Sequence, residues 1–367
     1  MCQPDAYTGR LHHILRKLLS VGALFATAAT AYTNIKRRVT LQDTLLRPDI
    51  DSDTDSVTEE SEQIFSPDET LLNPGCKRIL ITGAHSYIGT SVEAWLLRTP
   101  DRYQVDTLDM KNSSWRDYDF SGYDVVFHVA GIAHSDVGDA TEEQKRLYYQ
   151  VNTDLAVETA QKAKNEGVGQ FIFMSSMIIY SGCGNAHITA DTIPNPLNFY
   201  GDSKWQADCR IRTMEDEHFK VVVLRPPMIY GKGSKGNYPL LAKMAGMLPV
   251  FPVVRNKRSM LYIENLCRFV QLMIDNEESG IFFPQNGEYT NTSDMVQMIA
   301  NARRHRMLML PFADIAVRLL SKAPGKIGAL VQKAFGDYTY DMDMSEYRED
   351  YRVRTLAESI RLTETLD

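Results

Sequence analysis

Paired cysteine motifs are missing from this chain. Its five cysteines (Cys2, Cys76, Cys183, Cys209, Cys267) are odd in number and scattered, with no Cys-x-x-Cys and no His/Cys cluster at metal-ligand spacing. A disulfide framework and a zinc site are therefore not expected, and no metal ligand is assigned. Scattered thiols fit a reducing, cytoplasmic compartment. An excess of positive charge is missing as well. With 40 Lys and Arg against 47 Asp and Glu, the net charge is −7, which gives no electrostatic basis for binding nucleic acid. Long apolar runs are scarce. Leu18 to Ile35 is an uncharged stretch of 18 residues between Arg16-Lys17 and Lys36-Arg37-Arg38. That reaches only the lower limit for spanning a bilayer, about 17 residues, and it is rich in Ala and Thr. Membrane association through residues 18–35 is one reading of it. A soluble helix or a targeting segment is another, since residues 6 to 42 carry no acid and Ala29-Thr30-Ala31 resembles a cleavage site. Basic residues are then absent from Asp49 to Glu69, which holds nine carboxylates broken by Ser and Thr and reads as a disordered, self-repelling linker. Residues 1–76 are thus an N-terminal extension.

The chain beyond residue 76 is rich in core-forming sequence. All 367 residues together are 44% hydrophobic and 24% charged, enough for a full core and one more small domain. From Ile79 to Leu224 apolar strand-like runs alternate with helical patterns, which implies an α/β fold built on a doubly wound parallel sheet. Lys77-Arg78-Ile79-Leu80-Ile81 has the look of a buried parallel strand. It runs into Thr82-Gly83-Ala84-His85-Ser86-Tyr87-Ile88-Gly89 and then a helical pattern around Val92, Trp95 and Leu96. Small residues at such a turn let the backbone approach a pyrophosphate, and the helix N-terminus supplies partial positive charge. Asp109, twenty residues after Gly89, ends the second apolar run. An acid there accepts the ribose hydroxyls of NAD and repels a 2′-phosphate, although Lys111 keeps NADP open.

Ser176 precedes Tyr200-Gly-Asp-Ser-Lys204 by 24 residues. On a helix, Tyr200 and Lys204 share a face. A Lys charge beside a Tyr favours phenolate, lowering a pKa that is otherwise about 10, and each unit is worth roughly 1.4 kcal/mol. Such a Tyr can take a proton from a hydroxyl while hydride leaves the same carbon. With 18 Tyr in the chain the spacing alone means little, and its meaning comes from the nucleotide-binding opening before it.

From Lys77 to about residue 360 the chain resembles the extended short-chain dehydrogenase/reductase superfamily, in its nucleotide-sugar epimerase/dehydratase branch. Thr82 to Gly89 resembles the TGxxGxxG loop, with Gly83, Ser86, Tyr87, Ile88 and Gly89 against the cofactor. His128-Val-Ala-Gly-Ile-Ala-His134 is similar to the segment after the fourth strand, with Ala130 and Gly131 toward the cofactor and His134 toward substrate. Asn152 resembles the Asn of the following helix. Phe171 to Tyr180 resembles the fifth strand, which carries the catalytic Ser176. Tyr200 and Lys204 take the family's remaining catalytic roles. Leu224 to Gly231 resembles the loop over the nicotinamide, with Pro226 and Pro227 at the cofactor. Lys235-Gly236-Asn237 and Arg258 to Leu266 are similar to the segments that hold a nucleoside diphosphate. Asn237 and Arg258, with Arg255 as fallback, would bind substrate there.

The resemblance implies a Rossmann-type domain, 77–225 plus about 259–277, and a smaller mixed α/β substrate domain, 226–258 and 278–367. It implies NAD as cofactor, a UDP-sugar as substrate, and a homodimer through the helix from Thr141 to Gly167 and the helix of Tyr200. The expected activity is that of a UDP-sugar 4-epimerase working by transient C4 oxidation. A 4-keto-sugar reductase and a catalytically inactive nucleotide or redox sensor are the alternatives. Three departures from the pattern stand out. Ser86 replaces the loop's middle glycine, which requires a negative φ there. Met177-Ile178 stand where sugar 4,6-dehydratases carry Asp-Glu, so elimination of water is disfavoured. Met228 stands where some relatives carry a substrate-contacting Asn. His128 and His134 read more simply as packing or backbone-bonding residues than as bases.

Overall fold

A computed structural model describes residues 75–365 except 134–139, 184–186 and most of 312–334. The apolar stretch 18–35, the acidic linker and His134 lie outside the described residues. Lys77–Asp367 is a unit separate from Met1–Cys76. Among the described residues no helix is long and apolar enough to cross a membrane.

Six strands form the central sheet: β1 (Lys77–Thr82), β2 (Tyr103–Leu108), β3 (Val125–His128), β4 (Gln170–Met174), β6 (Lys220–Leu224) and β10 (Gly280–Phe282). Their order is β2-β1-β3-β4-β6-β10 and every pairing is parallel. All four residues of β3 and all five of β4 are buried, which is why these strands read as unbroken apolar runs. The chain moves outward from β1 to β2 and then crosses back to β3. The order therefore reverses at β1, and ligands of such sheets bind beyond the strands' carboxyl ends at that point.

One expectation is corrected. The strands of Val125–His128 and of Gln170–Met174 are third and fourth in the described chain, not fourth and fifth. Between β2 and β3 lies only a short segment with a single 3-10 turn, Ser113–Arg116. Trp115, Phe120 and Tyr123 of that segment are buried with Leu80 and Val126. Large aromatic rings thus cover the sheet between β2 and β3.

Helix α1 (Tyr87–Leu96) follows β1. Helix α2 (Glu142–Tyr149) starts at a capping box of Thr141 and Gln144 and runs through a π turn, Gln150–Asp154, into α3 (Leu155–Asn165). Helix α4 (Phe199–Arg212) packs beside them, Ala156, Ala160, Ala207 and Ile211 meeting Phe171, Phe173, Val221 and Val223 of the sheet. The remaining short strands pair in parallel twos: β5 (His187–Ile188) with β12 (Thr339–Tyr340), β7 (Met228–Tyr230) with β9 (Met260–Tyr262), and β8 (Val250–Pro252) with β11 (Leu308–Leu310). Helices α5 (Asn237–Met247), α7 (Thr292–Ala302) and α8 (Leu356–Glu364) pack together, and α6 (Ile263–Asp275) returns to α1, where Trp95 Nε1 donates to Gln271 Oε1 at 2.9 Å.

Candidate active site

The turn after β1 is shaped by what cannot fit. Gly83 has φ +117°, and a Cβ there would stand 2.7 Å from Ala130 N. Ser86 has φ −73° and caps α1, its Oγ accepting from Gly89 N at 3.1 Å. The negative φ that serine requires is present, and the loop's left-handed conformation falls on His85 instead, at φ 63°. A Cβ on Gly89 would lie 2.6 Å from Ser86 Oγ, so serine and glycine are matched. Ile88 is half-buried in the first turn. Tyr87 is set differently: its hydroxyl is buried with no hydrogen-bond partner, and a Cβ on Gly231 would meet it at 2.5 Å. Burial, then Tyr262 and Cys267, hold its phenol well above the ordinary range. The ring is a pillar under the loop after β7. Asp109, just past β2, accepts from Lys111 N through Oδ1 at 3.0 Å and is half-buried.

The loop after β3 is tied to the catalytic helix. Ala130 N donates to Thr82 O at 3.0 Å. A Cβ on Gly131 would lie 3.0 Å from Lys204 Nζ and 3.1 Å from Asn152 Oδ1. Asn152, fully buried in the π turn, accepts from Ile132 N at 2.8 Å and donates to Ile132 O and to Ser203 Oγ, each at 3.1 Å. One amide therefore clamps this loop to α4. His128 behaves as a core residue. Its Nδ1 pairs with Thr82 Oγ1 at 2.8 Å, its ring stacks between Phe171 and Phe173, and burial, then the Lys204 charge, lowers its pKa to about 3.

Ser176 follows β4 in extended conformation and caps the 3-10 turn Met177–Tyr180, its Oγ accepting from Ile178 N at 3.3 Å. Asn198 caps α4 through Gly201 N, and a Cβ on Gly201 would be 3.0 Å from Ile178 O. That glycine lets α4 begin against the Ser176 turn. Tyr200 lies near enough to Ser176 for that hydroxyl to bear on its phenol, and it meets Tyr148 edge-on, with centroids 5.8 Å apart. Tyr200 is only partly exposed, and protein packs densely around it. That burial pushes the phenol up to about 12, Ser176 pulling it down and Tyr148 adding to the rise. Lys204, only 6% exposed, donates to Met174 O at 3.0 Å and lies 5.2 Å from the Phe173 ring centre. Burial lowers its pKa to about 8. The expected lowering of Tyr200 by Lys204 is not what this geometry gives. Ser176 is the group that lowers the phenol, and the ammonium is engaged with a carbonyl and a ring.

Pro226 and Pro227 are buried after β6, and Pro226 O accepts from Met177 N at 2.9 Å. On the substrate side, Arg258 bridges through its backbone to Thr290 and Tyr338, and its Nη1 donates to Gly336 O at 3.3 Å. Tyr338 in turn donates to Met177 O at 2.8 Å, connecting the Arg258 segment to the Ser176 turn. Asn237 is the exposed first residue of α5, after Gly236 at φ 93°. Arg255 is exposed. Tyr148, Ser203 and Tyr338 escaped the sequence reading. Ser203 lies inside the Tyr200–Lys204 motif and could have been found there; Tyr148 and Tyr338 come from distant segments.

These residues fit a dinucleotide: two glycines that a Cβ would jam, a helix N-terminus capped by serine, and an acid past β2. The sequence model of the NAD dependent epimerase/dehydratase family matches residues 79–283, more than half of the chain. A UDP-glucose 4-epimerase of Vibrio cholerae is 28% identical over 296 residues, covering 74% of this chain and 89% of that protein. An N-acetyl-alpha-D-glucosaminyl-diphospho-ditrans,octacis-undecaprenol 4-epimerase of Escherichia coli O157:H7 is 27% identical over 220 residues, covering 55% of this chain and 64% of that protein. Among solved structures, a UDP-N-acetylglucosamine 4-epimerase of Methanobrevibacter ruminantium superposes with a TM-score of 0.60 at 18% identity, over 79% of this chain and 97% of that one. A dTDP-4-dehydrorhamnose reductase of Clostridium acetobutylicum gives 0.61 at 19% identity, over 78% and 98%. The superpositions speak for the fold, and the sequence match for the family: this chain belongs to the NAD-dependent epimerase/dehydratase family.

Proposed function

We propose that the protein is a UDP-sugar 4-epimerase, inverting C4 of a nucleotide-linked hexose by transient oxidation. The observation that carries this reading is the Ser176–Tyr200 pair, set at the carboxyl end of β4 with Lys204 one turn further along α4. Tyr200 takes the proton of the C4 hydroxyl in its phenolate form, which burial in the free protein keeps scarce at neutral pH. Ser176 hydrogen-bonds that oxygen, first as hydroxyl and then as ketone. Lys204, held beside Gly131, bonds the nicotinamide ribose. Bound NAD supplies the acceptor for the C4 hydride, and Asp109 is assigned its adenosine ribose. With the cofactor held there, hydride would return to the other face of the rotated 4-keto sugar while Tyr200 gives its proton back to the C4 oxygen, which would complete the inversion.

The substrate side supports a diphosphate-linked sugar. Ser234 Oγ is buried without a hydrogen-bond partner three residues before the uncapped start of α5, beside Lys235. Asn237 and Arg258 are assigned to the same substrate. The V. cholerae relative, by its name, acts on UDP-glucose. Met177 is buried with Ile179, Tyr180, Ile188 and Tyr340, and Ile178 packs on that cluster. The positions that would need acids for 4,6-dehydration are thus filled by core residues. Helices α2, α3 and α4 lie side by side with Leu147 half exposed, and this face is assigned to a homodimer. A cytoplasmic location is part of this proposal, with membrane association through residues 18–35 one reading of the extension beside a targeting segment or a soluble helix.

Tyr200→Phe tests the assignment. The ring and its packing stay, so NAD binding should persist while turnover of UDP-sugar falls about a hundredfold or more. Wild-type turnover in the folded variant would refute the role of Tyr200.

A further inference from the structure

Behind the Ser176–Tyr200 pair lies a buried ion pair that the proposed reaction does not use. Asp208 on α4 is fully buried, and Arg225, the residue before Pro226, is 4% exposed. Arg225 grips both carboxylate oxygens, Nε to Oδ2 at 2.9 Å and Nη2 to Oδ1 at 2.8 Å. Arg212 Nε adds a bond to Oδ1 at 2.9 Å. Ser175 Oγ donates to Oδ2 at 2.9 Å, and Arg225 Nη1 donates to the Tyr180 hydroxyl at 2.7 Å.

Stability alone does not account for such an arrangement. A buried ion pair recovers little more than its own desolvation, and apolar replacements of similar volume are often no less stable. What the pair supplies is direction, because a planar guanidinium gripping a carboxylate in two places fixes both distance and plane. Its attachments bracket the catalytic groups. Ser175 and Tyr180 stand on either side of Ser176, one before the turn and one at its end. Asp208 stands one turn beyond Lys204 and two turns beyond Tyr200 on the same helix. The Ser176 turn and the Tyr200 helix therefore hang on one rigid unit, which also anchors the Pro226 loop through the chain.

We infer that the Asp208–Arg225 pair is a positioning device that sets the reach between the Ser176 hydroxyl and the Tyr200 phenol. The inference rests on the catalytic assignment of those two residues. A displacement of 1 Å between reacting groups costs on the order of a hundredfold in rate, so a small loosening is measurable.

Two variants test it, each with kcat, KM and the pH dependence of kcat/KM. Arg225→Lys keeps the charge and loses the fork, while Tyr180→Phe removes a single bond from it. Neither touches Tyr148 on α2, the titratable group that bears on Tyr200, or Lys204 one turn along its own helix. Arg225→Lys should lower kcat about tenfold or more and Tyr180→Phe several-fold, with KM for the UDP-sugar within about twofold. In both, the limb of the pH profile that reports the base should move to higher pH, because Ser176 holds the phenol less well. Folded variants with wild-type kcat and pH profile overturn the inference. So does a loss of activity that only follows the folded fraction, with the pH limb unmoved. If Arg225→Lys does not fold, Tyr180→Phe decides by the same criteria. Tyr200→Phe run in parallel separates the two levels: an active Tyr200→Phe refutes the catalytic assignment, whereas an inactive one beside unaffected Arg225→Lys and Tyr180→Phe refutes the positioning role alone.

Discussion

Lys204 is a charge kept where the fold does not favour it. Its pKa falls from 10.5 to about 8 on burial. At roughly 1.4 kcal/mol per unit, the protonated side chain costs the folded state on the order of 3 kcal/mol, less whatever the environment relaxes. The sign is set by the lowered pKa: the cost is full below pH 8, is relieved as the lysine deprotonates, and is gone above the unfolded value of 10.5. Lys204→Met should therefore melt at higher temperature than the wild type at pH 7, by an amount equivalent to about 1–3 kcal/mol. The gain should shrink between pH 8 and pH 10. A less stable variant at pH 7 would show that the ammonium is well solvated by Met174 O and its neighbours. Residues of this kind were legible in the sequence because the motif holds them at helical spacing. The partners that set their energetics were not. Nothing in the chain tells that Lys204 would bond Met174 O, or that Arg225 would close on Asp208 across a strand and a helix.

At the scale of elements, the β3 loop and α4 are joined by the Asn152 amide, and this joint depends on a π turn. Residues 141 to 167 read as one helix with apolar Leu147, Val151, Leu155 and Ala160. The π turn was not legible, because its cause is tertiary: the extra residue aims Asn152 at Ile132 and Ser203. Asn152→Leu would leave Ile132 N and O without these side-chain partners and strip Ser203 of one bond. The expected loss is about 1–3 kcal/mol of stability in chemical denaturation, with weaker NAD binding by titration. Unchanged NAD affinity would detach this joint from the cofactor. The doubly wound parallel sheet was legible from the alternation of apolar runs, but the number of strands was not. Trp115, Phe120 and Tyr123 cover the sheet between β2 and β3, and an aromatic-rich loop carries no periodicity to announce that.

At the scale of the whole molecule, the unit from Lys77 onward holds the sheet, the cleft and every described residue assigned to the chemistry. A chain beginning at Lys77 should fold, keep its activity and scatter light as a homodimer at micromolar concentration; an inactive chain or a monomer would mean that residues 1–76 or another surface matter more than the fold suggests. The central claim is that hydride taken from C4 is returned to the same sugar, so that NAD is recycled within one turnover. The measurement that bears on it most directly is chromatography of UDP-Glc, UDP-Gal, UDP-GlcNAc and UDP-GalNAc after incubation with purified protein and no added cofactor. Interconversion of at least one pair of C4 epimers is the predicted result. A 4-keto-6-deoxy product, or conversion of a supplied 4-keto sugar only when NADH or NADPH is added, with no epimerisation, would contradict it.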